Sequence, residues 1–181
     1  MAWAADGHLF LSVGGALGWR RMAAQDPASH LGKMLRLRDD GTAPDDNPLV
    51  EQDGAAPEVY SLGHRNQMGM AIHPETGDLS PSEHPPQGGD EVNITRPSVN
   101  YGWPVVSHSR EYTGQRISER PWHEGLEQPE IVWIPLIGPS GILFYTGDRF
   151  PAWQGVLFAG SLMTGRMDRT GTPSGTRSGN D

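Results

Sequence analysis

The 181-residue sequence contains no cysteine, which excludes disulfides, thiolate zinc sites and cysteine nucleophiles. Basic residues are scarce. Lys and Arg number 14 against 22 Asp and Glu, for a formal net charge of −8, and no basic stripe is available to track a phosphate backbone. A nucleic-acid partner is therefore not expected. No stretch approaches the roughly 18 apolar residues that a membrane span needs. The N-terminal MAWAADGHLF has no basic region leading into an apolar run, so no signal peptide is read there.

Glycine and proline are plentiful instead, 24 and 16 residues respectively. Both break helix interiors, which argues against a helix bundle or coiled coil, and the lack of a Gly-X-Y period excludes collagen. Six Trp and seven Met within a 35 % hydrophobic composition supply too much apolar material for a disordered chain.

Those glycines and prolines mark a recurring hairpin. AWAADG leads into HLFLSVG, GMAIHPETG into DLSPSEH, and GILFYTGDRFPAWQG into VLFAGS. Each is an apolar strand, a turn closed by Gly and a second strand. The closing glycines Gly7, Gly77 and Gly155 recur at intervals of 70 and 78 residues. A third strand follows each hairpin, over Lys33–Leu37, Glu91–Ile94 and Gly165–Arg169. Repeated antiparallel units with Gly/Pro-rich turns suggest an all-β propeller, with a single β-sandwich as the competing fold. EVYSLGHRN and IVWIPLIGPSG read as strand-and-loop segments that introduce the second and third units. No such segment precedes the first. Residues 101–129 read as a loop insertion, and long loops of that kind often carry function. The polar TGTPSGTRSGND lacks apolar alternation, so residues 170–181 are expected to form a disordered tail after a propeller portion over 1–169.

Several common motifs are absent. GPSGI at 138–142 has Ile142 where a G-x-S-x-G elbow needs Gly. No P-loop is present, HEGLE at 123–127 is not H-E-x-x-H, and DDGTAPDDN at 39–47 does not fit an EF-hand loop. Asn93-Ile-Thr95 matches a glycosylation sequon but falls in an expected strand. Two segments stand out. In LGHRNQMG, His64, Arg65, Asn66 and Gln67 lie between apolar runs. Arg65 reads either as an anion or carbonyl clamp oriented by Asn66, or as a structural arginine tying one blade to the next. In SEHPPQGGDEVN, Asp90 and Glu91 follow a Gly-Gly. They read either as hard oxygen ligands in a loop that bends toward Ca²⁺, or as a solvated acidic turn.

AQDPASHLGKMLRLRDDGTAPDDNP, YSLGHRN, EHPPQGGDEVN, NYGWP and GPSGILFYTGDRFPAWQGVLFAGSL together resemble the soluble quinoprotein glucose/sorbosone dehydrogenase family, and within it the bacterial aldose sugar dehydrogenases. The resemblance runs through most of residues 1–162. It implies a six-bladed β-propeller, of which about three blades are present, binding pyrroloquinoline quinone (PQQ) and Ca²⁺. Such enzymes oxidise the anomeric carbon of an aldose to a lactone, and in the full-length family they are periplasmic or secreted. A His base takes the hydroxyl proton while hydride passes to the quinone, with Ca²⁺ and an Arg polarising the quinone carbonyl.

By this resemblance Arg65 and Asn66 contact the quinone, and the carbonyls of Pro85 and Pro86 face its Ca²⁺. Asp90, Glu91 and Tyr101 fall in segments that hold structural Ca²⁺, partly through backbone oxygens. Four departures stand out. Met68 occupies a usually polar position, Pro85 replaces a Gly, which fixes φ there and restricts His84, Gly15 replaces an acid, and Met163 lies where some relatives carry a Lys. None of the seven His occupies the place of the family's general base, which is expected upstream of Met1. A further Arg motif is expected beyond Asp181, so the chain read this way is about half a ring and of doubtful activity. Its open strand edges favour self-association. The other readings are a non-enzymatic propeller module binding Ca²⁺, a sugar or a protein, and a Ca²⁺-dependent lactonase. The electron acceptor is not specified by the sequence.

Overall fold

A computed structural model describes residues 1–170. The three expected hairpins are present. β1 (Ala2–Trp3) and β2 (Leu9–Val13) form the first, β5 (Gln67–Ile72) and β6 (Leu79–Glu83) the second, and β9 (Pro139–Phe144) and β10 (Leu157–Ser161) the third. Gly7, Gly77 and Gly155 all have positive φ in the turns, where glycine alone carries no Cβ penalty. The third strands are β3 (Lys33–Leu37), β7 (Asp90–Val92) and β11 (Met167–Thr170).

β4 (Val59–Leu62) and β8 (Ile131–Trp133) complete two of the sheets. Strand order is β1-β2-β3-β4 in one sheet, β5-β6-β7-β8 in the next and β11-β10-β9 in the third, with every neighbouring pair antiparallel. These are three blades of a β-propeller. The segments EVYSL and IVWI were expected to open the blades that follow them. They instead close the blades before them, because β4 pairs with β3 and β8 with β7. Alternating apolar residues announce a strand but not its partner. Thr170, placed by sequence in the tail, ends β11. The rest of that expected tail, 171–181, lies outside the described residues.

Two of the three apolar clusters sit between blades. Phe10, Met34 and Leu79 pack with Tyr60, Met70 and Ile72 between the first and second blades. Val92, Phe144 and Leu157 pack with Ala71, Ile131 and Ile142 between the second and third. A third cluster, Leu35, Leu49 and Val59, seats the 38–58 loop on the first blade. Fully burying each such side chain stabilises the fold by about 1.5–3 kcal/mol. Because blades cover it on both sides, β6 is buried along its whole length, including Ser80, Ser82 and Glu83.

The hairpin turns mark one end of the blades. The 14–32 loop, the 63–66 link and the 84–89 loop gather at the other. Residues 93–130 leave β7 at the turn end, but a parallel bridge from Asn100 to Leu62 guides them up beside β4. This detour brings Tyr101, Trp103 and His108 to the link end, over Arg65 and Pro85. A 3-10 helix over Gly18–Gln25, which the sequence pattern did not announce, lies in the 14–32 loop.

Candidate functional site

Gly63 begins the link at φ +78°, and a Cβ there would lie 2.2 Å from Asn100 Oδ1 and 2.5 Å from the Gly102 amide. Only glycine fits. The link is then pinned from outside: Gly63 N–H donates to Ala24 O, His64 N–H to Gly32 O, and Gly15 N–H to Arg65 O. The His64 imidazole is fully buried between Ser61 and Glu83. Its Nδ1 lies 2.5 Å from Glu83 Oε1 and its Nε2 2.8 Å from Ser61 Oγ, and its ring stacks on Tyr101.

Arg65 is buried as well. Its backbone N–H donates to Glu83 Oε2 at 2.9 Å, and its Nη1 donates to the carbonyl of His84. Its Nε–H has no partner among the described residues. Among the described residues the side-chain amide of Asn66 donates only to the thioether of Met68, at 3.2 Å, a weak acceptor. The 63–66 link therefore presents two donors with unused capacity, a set that fits the carbonyl and carboxylate oxygens of a quinone.

Asp90 and Glu91 do not form a loop that wraps a cation. Both lie on β7, where successive side chains point to opposite faces. Asp90 is fully buried and already occupied: Oδ1 meets His84 Nδ1 at 3.0 Å, and Oδ2 accepts the amides of Ile137 and Gly138 at 2.8 and 2.7 Å. Glu91 turns the other way, toward Glu83. The Asn93 side chain donates to both, at 3.1 Å to Glu83 Oε1 and 3.2 Å to Glu91 Oε1. Burial, reinforced by the charge of Glu83, pushes the Glu91 carboxyl well above the usual carboxylate range. Asn93 itself is buried and lies just past β7, so the sequon is packed inside the protein.

Tyr101 donates its hydroxyl to Ile94 O at 2.5 Å and accepts the Arg96 amide at 3.0 Å, and burial raises its pKa. Arg65, Glu83, Glu91, Tyr101, Trp103 and His108 line a cavity of about 30 Å³, above the roughly 10–15 Å³ that a single water needs. That is too small for a sugar or a quinone but sized for a water or a bare ion. Its paired carboxylates suit a hard cation such as Ca²⁺. Among the described residues no three His, Asp or Glu side chains converge on one point, so a cation here needs backbone carbonyls to complete its shell. The carbonyls of Pro85 and Pro86 also accept no hydrogen bond among the described residues, leaving both available to a cation.

The structure thus brings Arg65, Pro85, Glu91 and Tyr101 to one cavity, with Asn66 and Pro86 adjoining them in sequence, and turns Asp90 away. Glu83, which joins these segments, carries no sequence signal, and Asn93 stands out in sequence only as part of a sequon. Glu83 lies 19 residues from His64, with no local spacing to signal the pair. Among the described residues no helix is long and apolar enough to cross a membrane.

The family model for glucose/sorbosone dehydrogenase matches residues 1–179. An uncharacterised protein of Synechocystis is 44 % identical over 172 residues, covering 90 % of this chain and 42 % of that protein. An aldose sugar dehydrogenase of Escherichia coli is 42 % identical over 158 residues, covering 86 % and 42 %. Among solved structures, a glucose dehydrogenase superposes with a TM-score of 0.87 at 41 % identity, covering 92 % of this chain and 48 % of that one. The PQQ-bound aldose sugar dehydrogenase of Streptomyces coelicolor superposes with a TM-score of 0.69 at 29 % identity, covering 94 % and 44 %. The chain spans less than half the length of each of these relatives.

Proposed function

The chain belongs to the glucose/sorbosone dehydrogenase family, and from that premise we propose that it serves PQQ-dependent oxidation of an aldose at its anomeric carbon, giving the lactone. The observation that carries this reading is the free donor capacity of the 63–66 link, Arg65 Nε–H and the Asn66 amide. In this role Arg65 and Asn66 hold the quinone oxygens, and the carbonyls of Pro85 and Pro86 face its Ca²⁺. The cofactor, when bound, supplies the hydride acceptor. A guanidinium fixed in a water-poor site stabilises negative charge on a quinone oxygen more strongly than it would in water. His64 is not assigned as the base, because both ring nitrogens are engaged and no solvent reaches it.

A second reading is favoured by the small carboxylate-lined cavity: Ca²⁺ held by Glu91 with backbone oxygens near Tyr101, in a module that binds without turnover. Titrating PQQ into the Ca²⁺-loaded protein and following the quinone absorbance separates the two. The dehydrogenase reading expects saturable binding that Arg65→Ala weakens roughly 10- to 100-fold, as for lost cofactor-site contacts. Ca²⁺ binding with no spectral change on adding PQQ overturns it in favour of the second.

A further inference from the structure

Ser61, His64 and Glu83 are arranged like a nucleophilic triad, with hydroxyl to imidazole at 2.8 Å and imidazole to carboxylate at 2.5 Å. Nucleophilic chemistry does not follow. Ser61 and His64 are 0 % exposed and Glu83 is 2 % exposed, so no substrate reaches the hydroxyl. The carboxylate, however, spends its acceptor capacity on two separate stretches of chain. Oε1 accepts from His64 Nδ1 and Asn93 Nδ2, and Oε2 accepts from the Arg65 amide. The first and third partners belong to the 63–66 link. The second lies just after β7 and also holds Glu91.

We propose that Glu83 is a positioning residue that fixes the Arg65 link and the Asn93–Glu91 segment relative to each other, so that the proposed quinone-side and cation-side residues are oriented by one carboxylate. The quinone side of this role rests on the assignment of Arg65 in the proposed function. The residue type follows from the donor set. Three N–H groups point at two oxygens, and only an ionised carboxylate accepts at both without offering a hydrogen. A glutamine turns an NH₂ group against the Arg65 amide or against the His64 and Asn93 donors, at nearly unchanged volume. With Nδ1 donating to Glu83, Nε2 of His64 accepts the Ser61 hydroxyl. The imidazole is thereby locked at both ends, and its stack on Tyr101 ties in the 93–130 excursion.

The test uses the full chain and its Glu83→Gln variant, with two readouts. PQQ titration in the presence of CaCl₂ is expected to show a roughly 10- to 100-fold weaker Kd at unchanged far-UV circular dichroism. Proton and amide NMR of the unloaded protein is expected to lose the far-downfield His64 Nδ1–H signal and to shift the Arg65 amide and the Asn93 side-chain amide together. A purely structural role lowers thermal stability but leaves PQQ affinity of the folded protein within twofold, and that outcome overturns the proposal. If the parent chain itself binds no PQQ, the proposed function fails and the NMR arm alone decides: unmoved Arg65 or Asn93 signals overturn the positioning role. If Glu83→Gln does not fold, Asn93→Ala replaces it. This change cuts one arm of the network, and an Arg65 amide that stays in place refutes the link.

Discussion

Asp90 accepts the backbone N–H of Gly138 at 2.7 Å, a bond that crosses from the second blade into the third. The same oxygen accepts from Ile137, and the other oxygen is held by His84. A single buried carboxylate therefore joins the 84–89 loop to the entry of β9. This relationship gives the first prediction.

Asp90→Asn keeps the shape but faces one of these donor sets with an NH₂ group. Charge-assisted bonds to buried groups are worth about 1.5–3 kcal/mol each, so a loss of about 2–3 kcal/mol is expected in urea denaturation. A change under about 0.5 kcal/mol means that the clamp between blades contributes little.

Lys33 predicts a pH dependence. It is completely buried, its ammonium donates to the carbonyls of Ala23, Ala24 and Leu31, and among the described residues no carboxylate pairs with it. Desolvation, partly countered by the charge of Asp26, lowers its pKa from 10.5 to about 8. Below pH 8 both folded and unfolded chains hold the proton, and the folded state carries the full cost of the buried charge. Between pH 8 and 10.5 only the unfolded chain retains it, so stability rises with pH. After allowance for residual hydration, the gain is on the order of 2 kcal/mol. Lys33→Met removes this slope, and denaturation curves of both proteins from pH 7 to 10 check it. Parallel curves refute the assignment.

Gly63→Ala places a methyl group against Asn100 and the Gly102 amide in a left-handed conformation. Strain and backbone displacement together are expected to cost about 3 kcal/mol or more. The denaturation midpoint measures this, and a near-neutral result means that the link reaches Arg65 along a different backbone path.

At pH 9, above its raised pKa of about 8, Glu91→Gln removes a half-buried charge crowded by Glu83. Without added metal its thermal midpoint is expected to rise by roughly 2–4 °C, the shift produced by about 1 kcal/mol in a domain of this size. With CaCl₂ the parent rises and the variant does not, because a ligand of the folded state stabilises it by mass action. A variant that keeps the full Ca²⁺ shift places the cation elsewhere.

The hairpins were legible because Gly7, Gly77 and Gly155 close turns between alternating strands, a local signal. The partners of β4 and β8 were not, since pairing across a sheet is decided by packing on both faces. Arg65 and Asn66 stood out as polar residues between apolar runs, and the structure shows their unused donors. Asp90 and Glu91 looked like a ligand pair because they are adjacent. On a strand, adjacency separates side chains rather than gathering them, and Asp90 proves to be a clamp between blades. Glu83 was hidden for the opposite reason: its partners are close in space and 10 to 19 residues away in sequence.

The four residues from Gly63 to Asn66 are also the whole of the passage from β4 to β5. A passage so short has no slack, and the pitch of one blade against the next and the aim of the Arg65 guanidinium become a single mechanical variable. With Arg65 in the proposed quinone-holding role, substitutions deep in the Phe10–Met34–Leu79 cluster between those blades would retune the grip on a cofactor they never touch. Selection for the curvature of the ring and selection for that grip act on the same stretch of backbone.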